Sequence, residues 1–207
     1  PCVGCGETLN VSYLDNDEGR AAMAATQQVL AVRVGPPEPS RPVIVGVGDS
    51  GECFLRMLEN WLCHLRRLGI RDYVFFALDR AVFGWMRGRG EPVVSLAPRG
   101  EGAAAAQAIG VWATPSYTSA TRRKVFAAAV VLALGYDLLV VDIDVALLRD
   151  PRPLLLARAE EWGLDMQFQL NFPAADLNTG FYHARSNERT LRLVGLWLEA
   201  CRTGRRD

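Results

Sequence analysis

Residues 138 to 144 read Leu138-Leu139-Val140-Val141-Asp142-Ile143-Asp144, four apolar residues followed by two carboxylates one residue apart. A continuous apolar run of this kind is typical of a strand covered on both faces, as in a parallel sheet between layers of helices. The run therefore predicts a central strand of an α/β protein, with Asp142 and Asp144 just past its end. Two carboxylates so close together need a cation or hydrogen-bond donors, and carboxylate oxygens are hard ligands that suit Mg²⁺ or Mn²⁺.

Strands and helices alternate on both sides of this run. Further strands are predicted at residues 43–47, 73–78, 92–96, 164–170 and 181–184. Helices or helical turns are predicted at residues 21–34, 52–68, 80–87, 103–109, 121–134 and 187–202. Because strands alternating with helices imply right-handed crossovers, we expect a mostly parallel sheet flanked by helices.

The chain is predicted to fold as one domain, since 207 residues suffice for one core and are short for two. Residues 1–41 are expected to be loosely ordered, with a turn at 16–19 and a proline-rich linker at 35–39. The domain itself is predicted to span residues 42–207. Since the chain begins and ends abruptly, we interpret it as a possible fragment, truncated at its C-terminus.

Composition excludes several classes of protein. The 23 basic and 23 acidic residues cancel, so the charge does not favour a general nucleic-acid binder. No apolar run reaches 18 residues, so no transmembrane helix is predicted. Cys2 and Cys5 form a C-x-x-C without a second pair, which makes a zinc site improbable. Of all the basic residues only Lys124 is a lysine, and ammonium and guanidinium groups are not interchangeable where geometry matters.

A glycine pattern after the first strand allows a different interpretation. Gly46, Gly48 and Gly51 form a G-x-G-x-x-G between a predicted strand and a predicted helix, the context of a dinucleotide-binding fingerprint. Asp79 would then bind the ribose, although it lies 28 residues after Gly51, where about 20 is usual. Glu52 would also face the pyrophosphate with a negative charge. An NAD(P)-binding oxidoreductase and a glycine-rich turn of purely structural role both stay open at this point.

The segments around the two carboxylates resemble the plant and algal nucleotide-diphospho-sugar transferase family, which includes cell-wall arabinosyl- and xylosyltransferases. Residues 134–151, LGYDLLVVDIDVALLRDP, carry the family's D-x-D between an LGY and an RDP segment. Residues 77–79, ALD, and the helix with Lys124 occur in the family's order. Residues 177–187, LNTGFYHARSN, resemble its N-x-G-F-Y-Y-x-R-S-N segment. The likeness covers residues 43–200.

This resemblance implies a GT-A fold and a metal-dependent glycosyltransferase that retains anomeric configuration. It implies that Asp144 binds Mn²⁺ or Mg²⁺ directly and that Asp142 contacts the metal or the ribose of the donor. The other implied site residues are Val47 and Gly48 beside the nucleoside, Asp79 and Lys124 near the nucleotide or diphosphate, and Asn178 and Gly180 beside the donor sugar or acceptor. Stabilising the departing diphosphate is mainly a task of electrostatics and positioning.

The resemblance also implies partners and a location. The donor would be a nucleotide-diphospho-sugar and the acceptor a glycan or glycoprotein. The protein would reside in the Golgi lumen as a type II membrane protein, anchored by a segment outside this chain.

The sequence departs from the family pattern at several positions. The first strand ends in Gly-Val-Gly-Asp-Ser-Gly rather than a Thr-Thr-Val-Asn type of segment. His183, where the family usually has an aromatic or aliphatic residue, is interpreted as a packed histidine rather than a ligand. No histidine follows it in the chain, although GT-A enzymes commonly supply a metal-binding one near the C-terminus. A non-catalytic GT-A-like domain is therefore a third hypothesis.

Overall fold

The computed structural model describes residues 11–51, 53–97, 115–172 and 176–203, with the backbone alone at 115–120. The helices are α1 (Asp17–Arg33), α2 (Phe54–Arg67), α3 (Arg80–Gly88), α4 (Pro115–Ala133), α5 (Arg152–Glu161) and α6 (Glu188–Thr203). The strands are β1 (Val43–Gly48), β2 (Tyr73–Ala77), β3 (Val93–Ser95), β4 (Leu138–Val141), β5 (Met166–Asn171) and β6 (Asp176–Ala184). The helical turn predicted at residues 103–109 and the C-x-x-C lie outside the described residues.

The six strands form one sheet in the order β3-β2-β1-β4-β6-β5. Strands β1 to β4 are parallel, β6 runs antiparallel to β4, and β5 runs antiparallel to β6. β4 lies in the interior of the sheet and all four of its residues are buried, as the apolar run predicts. The prediction of a mostly parallel sheet flanked by helices is confirmed.

Two apolar cores cover the two faces of the sheet, because successive residues of a strand point to opposite sides. In β4, Leu138 and Val140 join the core formed with α1, α4 and α6. Leu139 and Val141 join the second core, which contains residues of α2 and α3 and includes Trp61. The face on which a side chain of β4 lies therefore also decides which helices it meets.

The prediction of a loosely ordered segment at residues 1–41 is wrong for residues 17–33, which form α1. The helix predicted at residues 21–34 is confirmed and begins four residues earlier. Asn16 caps this helix by accepting a hydrogen bond from the backbone N–H of Gly19 at 2.9 Å. Leu14 and Leu30 are buried in the same core as the sheet, so the folded domain begins ahead of the predicted boundary at residue 42. The Asn-Asp-Glu-Gly string predicts a turn because N-caps and turns favour the same residues.

Strand β6 is longer than predicted. It begins at Asp176, five residues ahead of the expected residue 181, and so carries Asn178 and Gly180 into the sheet. Because β6 is antiparallel to β4, its first half lies beside the carboxyl end of β4. This placement brings two predicted site residues to the edge where Asp142 lies. None of the described helices is long and apolar enough to cross a membrane.

Candidate functional site

The predicted site residues collect at one edge of the sheet, where β1, β2 and β4 end. Ligands of parallel α/β sheets bind outside the carboxyl ends of the strands, and Gly48, Asp79 and Asp142 all lie at these ends. The backbone N–H of Asp142 donates to the carbonyl oxygen of Gly180 at 2.7 Å, which ties the end of β4 to β6. The structure thus places residues from four different strands at one edge.

Lys124 of α4 binds Asp142 through both carboxylate oxygens. Its Nζ lies 2.6 Å from Oδ1 and 2.7 Å from Oδ2, and both side chains are partly buried. Eighteen residues separate the two in sequence, and they meet because α4 packs on the face of the sheet that Asp142 shares with Val140. Charge-assisted hydrogen bonds of this length are strong, so Asp142 is held with its charge compensated.

Gly180 makes room for the Asp142 carboxylate. A Cβ atom at residue 180 would lie 2.5 Å from Asp142 Oδ2 and 3.0 Å from Asn178 Oδ1, so a side chain there would overlap both groups. The backbone N–H of Gly180 also donates to Asn178 Oδ1 at 2.7 Å. A glycine is therefore needed at position 180 because the Asp142 carboxylate and the Asn178 amide approach its Cα closely, and not because of its backbone angles. Asn178, Gly180, Lys124 and Asp142 form one cluster, which we call the Asp142 cluster.

Asp144 differs from Asp142 in its surroundings. A turn follows β4, closed by a hydrogen bond from the Val145 N–H to the Asp142 carbonyl oxygen at 3.0 Å, and it leaves Asp144 exposed. Within the described ranges, Asp144 makes no hydrogen bond or ion pair, and no three His, Cys, Asp or Glu residues are grouped to bind a metal. Mg²⁺ is often held by one or two carboxylates together with waters and substrate phosphates. Asp142 and Asp144 fit a metal shared in this way with a diphosphate.

Asp79 has a structural task at the end of β2. Its Oδ1 accepts from the Val82 N–H at 2.8 Å and caps α3, and its Oδ2 accepts from the Ser50 N–H at 2.6 Å. These two bonds connect the loop after β1 to the start of α3. The predicted contact of Asp79 with a nucleotide is not tested by this geometry and stays a prediction.

Two of the three glycines in the G-x-G-x-x-G, Gly46 and Gly48, lie inside β1 rather than in a turn, and only Gly51 lies beyond the strand. A Cβ at Gly46 would be 2.9 Å from the Phe75 ring and 3.1 Å from the Trp61 ring, and one at Gly48 would be 3.3 Å from Phe75. A dinucleotide fingerprint instead needs these glycines in a tight turn leading into a helix that receives the pyrophosphate, and α2 begins only at Phe54. The dinucleotide interpretation is therefore wrong, because Gly46 and Gly48 accommodate aromatic rings. Val47 is buried, so at this position a nucleoside would meet the backbone.

The Arg-Asp-Pro segment that contributes to the family resemblance lies away from the Asp142 cluster. Arg152 Nη2 lies 2.7 Å from Asp150 Oδ2, and its Nη1 reaches the carbonyl of Pro42 at 3.2 Å and Asp72 at 3.3 Å. Pro42 and Asp72 precede β1 and β2, so this network lies at the amino edge of the sheet. Burial raises the pKa of Asp150, but hydrogen bonds from Arg152 outweigh it and leave that pKa below its usual range. Asp150 and Arg152 therefore connect the chain after β4 to the starts of β1 and β2.

Two polar side chains of β6 are buried. His183 is buried as predicted, and burial followed by the charge of Arg185 lowers its pKa to about 4. Tyr182 is fully buried, and within the described part of the chain its hydroxyl has no hydrogen-bond partner. Burial, and then the charge of Asp142, raise the pKa of Tyr182. The two-residue period of a strand places Tyr182 on the same face of β6 as Gly180.

Residues 68–207 match the family of nucleotide-diphospho-sugar transferases. A beta-arabinofuranosyltransferase of Arabidopsis thaliana is 29% identical over 164 residues, covering 74% of this chain and 29% of that protein. An arabinosyltransferase of the same plant is 26% identical over 172 residues, covering 76% of this chain and 25% of that protein. An uncharacterized Arabidopsis thaliana protein is 39% identical over 72 residues, covering 33% of this chain and 20% of that protein. The chain thus spans less than a third of the length of each of these relatives.

Proposed function

Because this chain belongs to the nucleotide-diphospho-sugar transferase family, we propose that it is the donor-binding domain of a metal-dependent arabinosyltransferase. The donor would be a nucleotide-diphospho-arabinose, and the acceptor a glycan or glycoprotein. The choice of sugar rests on the names of two relatives, a beta-arabinofuranosyltransferase and an arabinosyltransferase. The resemblance stated above also favours retention of anomeric configuration.

The observation that carries this proposal is the arrangement of the Asp142 cluster at the carboxyl edge of the sheet. A strand end presents one carboxylate against a lysine, a second carboxylate lies exposed two residues later, and a glycine leaves space beside the first. This set combines negative groups that suit a divalent cation with a positive group that suits phosphate oxygens. A nucleotide-diphospho-sugar bound with a metal ion offers both kinds of charge.

Each group has a distinct task in this proposal. Asp142 and Asp144 would hold Mn²⁺ or Mg²⁺, which supplies charge neutralisation at the departing diphosphate. Lys124 would bind phosphate oxygens as a compact point charge. Asn178, whose side chain is ordered by the Gly180 N–H and by Asn171, would orient the sugar or the acceptor.

Thermal unfolding of the 207-residue chain tests the proposal. Uridine diphosphate at 100 times its Kd, together with Mn²⁺, should stabilise the native state by about 2.7 kcal/mol. For a chain of this length that corresponds to a rise in Tm of about 5–10 °C. The double variant Asp142→Asn with Asp144→Asn should lose the response. Stabilisation by NAD(H) without any response to Mn²⁺ and uridine diphosphate would contradict the proposal.

A non-catalytic GT-A-like domain is the second candidate, favoured because Asp142 and Asp144 have no third His, Cys, Asp or Glu grouped with them among the described residues. It differs from the first candidate in turnover. A longer protein that contains this chain and binds nucleotide-diphospho-arabinose, yet neither hydrolyses nor transfers it, would support the non-catalytic domain. Residence in the Golgi lumen stays a prediction, to be checked by localising the tagged full-length protein.

A further inference from the structure

One of the two carboxylates proposed to bind the metal, Asp142, is already neutralised by Lys124. Lys124 Nζ lies 2.6 and 2.7 Å from the two oxygens of Asp142, within direct hydrogen-bond distance of both. A divalent cation that binds Asp142 must therefore compete with this ammonium group. The exposed Asp144 has no such partner among the described residues.

Of the two partners, the carboxylate is the one that is held in place. Asp142 is anchored by its backbone hydrogen bonds to Gly180 and Val145, and its Oδ2 occupies the space that a Cβ at residue 180 would need. Lys124 has a flexible four-carbon stem, and 22% of its side chain is exposed. When the two separate, the lysine is the group that moves.

The residue type at position 124 fits an exchange. All other basic residues of the chain are arginines, whose planar fork would hold a carboxylate in a bidentate pair. An ammonium group has no fixed fork and can transfer from carboxylate to phosphate oxygens without losing a matched geometry. The adjacent Arg123 pairs instead with Glu18, so one turn of α4 holds two cations with separate partners.

We propose that Lys124 is an exchangeable counter-ion, which neutralises Asp142 before donor binds and moves to the diphosphate when a divalent metal binds Asp142. This inference rests on the proposed function. It has a thermodynamic consequence, because each ligand removes an obstacle to the other. The diphosphate withdraws Lys124 from Asp142, and the metal releases Lys124 for the diphosphate. Metal and diphosphate should therefore bind with positive coupling, which is reciprocal by necessity.

A titration with Mn²⁺ alone tests whether Lys124 competes with the metal for Asp142, and it needs no turnover. The electron paramagnetic resonance signal of the free ion measures how much Mn²⁺ is bound. Lys124→Met should bind Mn²⁺ at least about 5-fold more tightly than the wild-type chain, the lower end of typical coupling factors. Arg123→Met removes the same charge one residue away and should leave the affinity unchanged. Adding Asp142→Asn to Lys124→Met should abolish the gain, which assigns it to this carboxylate.

The same titration in the presence of uridine diphosphate tests the exchange. Uridine diphosphate should raise the Mn²⁺ affinity of the wild-type chain by about 5-fold or more, and should raise that of Lys124→Met much less. Lys124→Arg keeps the charge and should also show a reduced coupling, because a bidentate pair with Asp142 resists exchange. Circular dichroism confirms that each variant is folded.

Three results would overturn the inference while leaving the proposed function intact. The first is equal or weaker Mn²⁺ binding by Lys124→Met. The second is an equal gain in Arg123→Met, which would reveal only a long-range effect of charge. The third is equal coupling in Lys124→Met and wild type. If uridine diphosphate fails to bind the wild-type chain at any Mn²⁺ concentration, the proposed function fails together with the inference.

Discussion

Replacing Gly180 with alanine should weaken the donor site as well as the stability of the fold. The new Cβ would lie 2.5 Å from Asp142 Oδ2, while ordinary van der Waals contact begins at about 3.4 Å. Relief of the overlap requires a relative displacement of about 0.9 Å. The new Cβ would overlap the Asp142 carboxylate, which binds Lys124. A shift of the backbone at residue 180 would also disturb the hydrogen bond from the residue 180 N–H to Asn178.

The magnitude follows from this displacement. Overpacking of this size costs about 1–3 kcal/mol of stability when it is fully resisted, a fall in Tm of about 3–10 °C. A misplacement of about 1 Å at a reacting centre can lower the rate about 100-fold. For binding, we expect the Kd of uridine diphosphate in the presence of Mn²⁺ to rise at least about tenfold, equivalent to about 1.4 kcal/mol.

Isothermal titration of the folded variant with uridine diphosphate and Mn²⁺ measures this change, with Gly195→Ala as the matched control. A Cβ at Gly195 would lie 2.8 Å from the Tyr13 ring, a similar overlap on α6 and away from the Asp142 cluster. The control should lose stability and keep its affinity. An unchanged Kd in Gly180→Ala, or an equal loss in both variants, would refute the assigned role of Gly180.

Three further predictions concern stability. Asp79→Ala removes the acceptors for the N–H groups of Val82 and Ser50 and should lower the free energy of unfolding by about 0.5–2 kcal/mol, measured by urea denaturation. Asp79→Asn should restore only part of it, because its single amide oxygen can accept one of the two bonds. Arg152→Met leaves the partly buried Asp150 without its cation, while Asp72 keeps its ion pair with Arg41, and should cost about 1–3 kcal/mol. It should leave uridine diphosphate binding intact because Arg152 lies at the opposite edge of the sheet. His183 has a folded pKa of about 4 against an ordinary 6.5, so the stability that it contributes is complete above pH 6.5 and declines as the pH falls towards 4. His183→Gln should therefore flatten the plot of Tm against pH in that window, and an unchanged slope would contradict this assignment.

Local patterns in the sequence predict the sheet well. The continuous apolar runs of β1, β2 and β4 reflect strands covered on both faces, and the observed strands agree with the predicted ones to within one residue. β6 is the exception, since its first half is polar and partly exposed and so lacks an apolar signature. The first turn of α1 lies outside the helix predicted at residues 21–34 for a related reason, because Asp17 and Glu18 are exposed and give no apolar signal.

Some features of the candidate site can likewise be predicted from local sequence, and others cannot. The position of Asp142 and Asp144 at a strand end follows from the order of residues alone, because the apolar run and the acids are adjacent in the chain. The pairing of Asp142 with Lys124, eighteen residues away, depends on how α4 packs across the sheet, which no local pattern encodes. Likewise, the need for Gly180 arises from the approach of β6 to β4.

What the amino-acid sequence alone established is the α/β class, the mostly parallel sheet and the acidic strand end, since each depends on chemistry within a few neighbouring residues. Tertiary structure decided which glycines accommodate aromatic rings, which edge of the sheet holds Arg152, and which cation neutralises Asp142. Those outcomes depend on contacts between segments far apart in the chain. Their energies are determined by packing and distance in three dimensions, so residue order alone leaves them open.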